Sequence, residues 1–231
     1  MTILAVDSSA SPCSAALVQD KKILSSFFSN TALTHSRTLV PMLDAVLRNT
    51  DSDLSRVDAL AVSVGPGSFT GVRIGVAAVK GLAMQDNIPC VAVSTLEAMA
   101  YNFIGFDCIV CAVMDARRSQ VYNGIFSVVN GSVERLCEDR ALSIGDLAED
   151  LKNYDGNIVI VGDGAELCYN SFKEILPNVT LAPEHLRYQN AVGVAMAAEG
   201  KDHISAEELM PSYLRLPQAE RELKKRLENE K

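Results

Sequence analysis

Residues 60–76, LAVSVGPGSFTGVRIGV, run from apolar β-formers through a turn rich in glycine and hydroxyls into a helix. Gly65, Gly67, Gly71 and Gly75 allow close backbone approach, and the helix start beyond them offers free N–H groups and partial positive charge. Ser68 and Thr70 add hydroxyl donors or a helix cap. These are the parts of a phosphate cradle. Asp7 ends an earlier strand just before Ser8, a position where an acid can hold the water shell of a metal ion. Asp7, Ser8, Gly65, Gly67, Ser68 and Gly71 are therefore the candidate residues for weak nucleotide binding or a remnant phosphate site. Against nucleotide chemistry, Pro66 carries no N–H, GxGxxxG is not the dinucleotide spacing, and no lysine follows as in a P-loop. Glycines also serve tight helix–sheet packing with no ligand.

Other reactive side chains are scattered. The Cys108–Cys111 pair lies in a β-rich run, where residues three apart point to opposite faces, so the six cysteines read as buried thiols. His35 opens a helix, as a capping or surface residue, and His185 and His203 stand singly. Asp115, before Arg117 and Arg118, reads as part of a local ion pair.

The elements that must position these residues alternate strand and helix. ILAVD, CSAALV and KKILSSFFS predict three strands. Leu39, Met42, Leu43, Val46 and Leu47 then recur at helical spacing, with Pro41 forcing a late start or a kink. ALAVSV at 59–64 predicts a strand buried on both faces. The helix over 72–84 is apolar nearly all round, so something besides the sheet must cover it. IPCVAVST gives another strand, and Ser94 with Glu97 forms a capping-box signature. After residue 103 come the strands FDCIVCAVMDA and QVYNGIFSVV, an Asn130-Gly131 hairpin turn, a strand–glycine turn–helix unit over 157–176, and a small-residue helix, NAVGVAMAAEG. Residues 217–231 predict a solvated helix or frayed tail. The chain divides into lobes at 1–103 and 104–231, with the helix near 189–202 able to return to the first.

The chain has 231 residues, 48% hydrophobic and 22% charged, with a formal net charge of −8. That is a folded α/β protein whose bulk charge argues against a broad nucleic-acid surface. The N-terminus lacks the basic leader of a signal peptide, and no apolar run is long enough for a membrane span, so a cytoplasmic location is expected.

The segment VGPGSFTGVRIGVAAVKGLA, with ILAVDSSASPCSAAL, HSRTLVPML, PCVAVSTLEAMA, VMDARRSQVYNGIF, VGDGA and PSYLR in the same order, resembles the TsaB (YeaZ) family. The resemblance implies the actin-like ATPase (ASKHA) fold, with two ribonuclease-H-like lobes of mixed sheets flanked by helices. It also implies an accessory, non-catalytic role in forming N6-threonylcarbamoyladenosine (t6A) at position 37 of tRNAs that read ANN codons. The implied partner is TsaD, the paralogous threonylcarbamoyltransferase, joined by a TsaE-like ATPase. A homodimer is implied for the isolated chain, tRNA is met mainly through the complex, and at most weak ADP or ATP binding occurs at the partner junction. In TsaD a metal is held by two histidines of an NHxEGH motif. The matching positions here are Ser94, Thr95, Glu97 and Met99, so no metal or catalytic residue is expected. Ser11 stands where the TsaD turn carries an aspartate. A small-molecule kinase using Mg-ATP and Asp7 is the alternative.

The over-apolar helix and its neighbour offer Leu39, Leu43, Leu47, Val72, Val76 and Val79 as the expected partner interface, unless both helices are simply buried in their own lobe.

Overall fold

The computed structural model describes residues 1–215; the expected solvated tail at 217–231 lies outside the described residues. The first sheet is built from β1 (Thr2–Asp7), β2 (Cys13–Gln19), β3 (Lys22–Ser29), β4 (Ala59–Gly65) and β5 (Cys90–Ser94), in the order β3-β2-β1-β4-β5. β1 pairs antiparallel with β2 and parallel with β4. Helices α1 (His35–Arg48) and α2 (Phe69–Asp86) pack on one face, and α3 (Thr95–Ala100) follows β5. α1 starts at His35 and runs through Pro41, which lies on its exposed side.

The second sheet repeats this plan. β6 (Cys108–Asp115), β7 (Gln120–Val129), β8 (Ser132–Arg135), β10 (Ile158–Val161) and β11 (Val179–Leu181) lie in the order β11-β10-β6-β7-β8, and β9 (Arg140–Ser143) also pairs with β7. Again the central strand is antiparallel to its hairpin partner and parallel to the strand beyond a crossover. Asn130 and Gly131 both adopt positive φ in the β7–β8 turn, as expected of an Asn-Gly hairpin. α4 (Ile144–Leu151) and α5 (Ala165–Phe172) cover one face; α6 (Glu184–Arg187) leads to α7 (Ala191–Ala198).

Strand alternation explains the layers. Leu4, Val6, Leu60 and Val62 face α1 and α2, whereas Ile3, Ala5, Ala59 and Ala61 face α7. Alanines on that second face let α7 lie close to the sheet. α7 therefore belongs to the first lobe in space although it follows the second in sequence. Beyond it the chain stays there: Ile204 bridges to Cys90, and Leu209 is fully buried among the side chains of α1 and α2. Cys108 and Cys111 fall into the cores on opposite faces of the second sheet.

The expected partner face needs correction. Leu39, Leu43, Val72, Val76 and Val79 are each 4% exposed or less, and Leu47 is partly buried against the same core. The cover the sequence left unassigned is supplied by α1 and by residues 204–215, so the apolar excess of α2 is consumed within the chain. Exposed on these two helices are instead Val40 and Met84, with Ala77 and Gly81 between the turns of α2.

Candidate functional site: the cleft between the lobes

A cleft of about 560 Å³ opens between the lobes, lined by Ser9 and Ser11 of the β1–β2 turn, Gly67–Thr70, and from the second lobe Asp115, Arg117, Tyr122 and Asp163. Its first-lobe wall is the glycine turn, and the local chemistry there is packing. Ser8 donates its hydroxyl to the Gly71 carbonyl at 2.9 Å, and the Ser68 N–H donates to the Ser9 carbonyl at 2.6 Å. The Ser68 hydroxyl caps α2 by accepting the Gly71 N–H at 3.2 Å. A Cβ on Gly71 would lie 2.1 Å from the Ser8 carbonyl oxygen. Gly65, at φ +121°, packs against the Ser212 backbone, whose N–H donates to the Val64 carbonyl at 2.7 Å.

Of the six candidate cradle residues, then, only Gly67 and Ser68 line the cleft. Gly65, Gly71 and Ser8 are sealed under neighbouring backbone. Asp7 is 1% exposed: its carboxylate accepts the Ser9 N–H at 2.9 Å and hydroxyl at 2.8 Å, and the Ser63 hydroxyl. Burial raises its pKa, against the lowering effect of those bonds. A carboxylate so enclosed holds the hairpin to β4 and has no room for a metal's water shell. His35 is likewise structural, donating from Nε2 to the Ala10 carbonyl at 2.7 Å.

Across the cleft, Asp115 accepts the Arg117 N–H at 2.7 Å, closing a turn in which Arg117, Arg118 and Ser119 all have positive φ. Asp163 accepts the Asp115 N–H at 3.2 Å; desolvation, then the neighbouring Asp115 charge, pushes its pKa up to about 6. Tyr213 and Arg215 reach the residues that line the cleft. Tyr213 stacks on Phe69 at 5.1 Å, the Arg73 guanidinium lies 3.7 Å over the Phe69 ring, and Arg215 bonds Gln120 and lies 5.7 Å over Tyr122. Sequence reasoning named PSYLR but gave it no place; its signal was only an aromatic and an arginine beside a proline.

The positions matching the transferase metal motif lie elsewhere, at the end of β5 and in α3. Thr95 and Met99 are wholly buried, Met99 packing in the core shared by α3 and the second sheet. A hydroxyl and a thioether are unfit ligands for a borderline divalent cation. Glu97 does more than cap its helix: it takes Lys201 at 2.9 Å and Arg135 at 3.4 Å, and Arg135 also pairs with Asp139, which accepts the Ser94 hydroxyl. An inter-lobe ion-pair network thus runs through Glu97, between the two positions that match the motif's ligands. Among the described residues no group of three or more His, Cys, Asp or Glu could hold a metal ion, and no helix is long and apolar enough to cross a membrane.

The family model described as TsaD, tRNA N6-adenosine threonylcarbamoyltransferase, matches residues 23–223. The tRNA threonylcarbamoyladenosine biosynthesis protein TsaB of Bacillus subtilis is 33% identical over 95% of this chain and 96% of its own length. Its Escherichia coli namesake is 31% identical over 93% and 95%. A crystal structure of YeaZ from Pseudomonas aeruginosa superposes with a TM-score of 0.78 at 30% identity, covering 92% of this chain and 99% of that one. The ethanolamine utilization protein EutJ of Carboxydothermus hydrogenoformans, at 13% identity and a TM-score of 0.50, shares the fold alone. The fold is the two-lobed α/β architecture of the actin-like ATPases. On full-length identity and superposition together, the chain belongs to the TsaB (YeaZ) family.

Proposed function

We propose that this protein is the non-catalytic accessory subunit that binds and activates a TsaD-type threonylcarbamoyltransferase in the formation of t6A in tRNA. The observation that carries this is the fate of the motif positions: Thr95 and Met99 are core residues, and Glu97 is neutralised by Arg135 and Lys201. A chain that keeps the transferase architecture while filling its metal position with packing and ion pairs acts by binding. In this reading each lobe is ribonuclease-H-like, supported by the repeated strand order. The partner meets the outer faces of α1 and α2, where Val40 and Met84 are 61% and 68% exposed. The same face closes a homodimer when the chain is alone, and a TsaE-like ATPase joins through the pair in the cytoplasm. Adenine nucleotide at the partner junction binds weakly, because only Gly67 and Ser68 of the cradle reach the cleft and two carboxylates stand opposite.

The test is reconstitution. Purified chain alone should transfer no threonylcarbamoyl group; added to the TsaD of the same organism, it should raise t6A formation. Equal activity of the transferase without it would sink the proposal. The kinase alternative needs Asp7 on Mg-ATP, and the enclosure of that carboxylate speaks against it.

A further inference from the structure

Resting on the reading that this chain works in a tRNA-modifying complex, we propose that the rim of the inter-lobe cleft, formed by Arg73, Arg117, Arg118 and Arg215, is a contact surface for the RNA phosphodiester backbone. The chain as a whole is acidic, and Arg48, Arg135, Arg140 and Arg187 each pair with a carboxylate. The four rim arginines have no carboxylate partner among the described residues. Two of them are also held in place, Arg73 by Phe69 and Tyr213 and Arg215 by Tyr122 and Gln120, while Arg117 and Arg118 project from a turn closed by Asp115.

Guanidinium groups held in fixed orientation suit bidentate contact with phosphate, and their desolvation on binding is cheaper than that of an ammonium. Tyr213, exposed beside Arg73, offers a ring against which an unpaired base can stack. The cleft wall itself carries the opposite sign. Asp115 and Asp163, both exposed, line it side by side, and their charges repel a lone phosphate entering between the lobes. Arginines around an acidic wall favour a polyanion laid across the opening rather than a small anion within it.

The experiment measures binding of unmodified tRNA, one that reads an ANN codon, to the complex of this chain with its TsaD over a salt series. Arg117→Asn/Arg118→Asn is the first variant, since asparagine tolerates the left-handed backbone at both positions. We expect affinity to fall about tenfold and the log–log salt slope to become shallower by roughly two, with complex assembly unchanged on gel filtration. Arg215→Gln, which leaves the turn untouched, should weaken binding in the same direction. Arg56→Gln/Lys173→Gln, exposed cations away from the cleft, should change neither quantity. Wild-type affinity and slope in the rim variants overturn the inference, as does an equal loss in the control pair. Lost partner assembly with intact tRNA binding overturns it too, assigning the rim to an acidic protein face. If the wild-type complex makes t6A while the rim variants bind tRNA normally, only this inference fails. If the wild-type complex makes none, the functional reading itself fails.

Discussion

Ser8 and Gly71 are locked face to face: the Ser8 hydroxyl donates to the Gly71 carbonyl at 2.9 Å, and the Ser8 carbonyl oxygen fills the space a Gly71 side chain would need. The tip of the first hairpin is thereby bolted to the start of α2. Gly71→Ala gains helix propensity but drives a methyl into backbone, and the clash wins because backbone cannot swing aside. It should destabilise the chain by about 1–3 kcal/mol. Gly81→Ala, in the same helix with nothing within 4 Å of the new Cβ, should stabilise it by about 0.5–1 kcal/mol. Urea melts of the two variants should shift in opposite directions.

Val76→Asp should unfold the first lobe, because it buries a charge in a packed core. Val40→Lys/Met84→Lys, on the same two helices, should leave the circular dichroism spectrum and melting temperature near wild type and abolish binding to the TsaD partner. A double lysine variant that still co-purifies with the partner places the contact elsewhere.

Glu97 and Arg135 join the lobes with side chains only 16% and 27% exposed. Truncating Arg135 to alanine leaves Glu97 with Lys201 alone and removes the guanidinium from the Phe126 ring, at a cost of about 1–3 kcal/mol. A double-mutant cycle with Glu97→Gln should return a coupling of about 0.5–1 kcal/mol. Zero coupling would mean the pair does not fasten the lobes.

Asp163 should titrate near pH 6 by carbon NMR. Its folded pKa lies above the unfolded value, so between about pH 4 and 6 the folded chain keeps a proton that the unfolded chain releases. Its contribution to stability is thus present in acid and lost as pH rises through 6. Asp163→Asn should remove that dependence, and Asp115→Asn should lower the Asp163 pKa only in part, because desolvation is the larger cause.

How far the sequence reaches is set by what periodicity can report. The alternation along β1 and β4, the Asn130-Gly131 turn and the opposed faces of Cys108 and Cys111 are local properties, and each reads directly from residue order. The apolar girth of α2 was equally visible, but the identity of its cover was not. That cover, Ile204, Ala206 and Leu209, has irregular spacing and lies more than a hundred residues away. Periodicity alone therefore points Leu39, Leu43 and Val76 to a partner, although their own chain holds them. Asp7 misled for a related reason: the hydroxyl of Ser63, far off in sequence, turns a metal-facing acid into a latch. Asp163 and Arg215 gave no periodic signal at all.

The first sheet receives α7 and residues 204–215 only after the whole second lobe has been made. On a ribosome, the stretch between Ser94 and Ala191 takes roughly 5–20 s to synthesise. Throughout that interval the nascent amino-terminal half presents its alanine- and valine-lined face uncovered. The two lobes are thus a single translational unit, and a cut between them in an expression plasmid yields a front half that has lost its back wall.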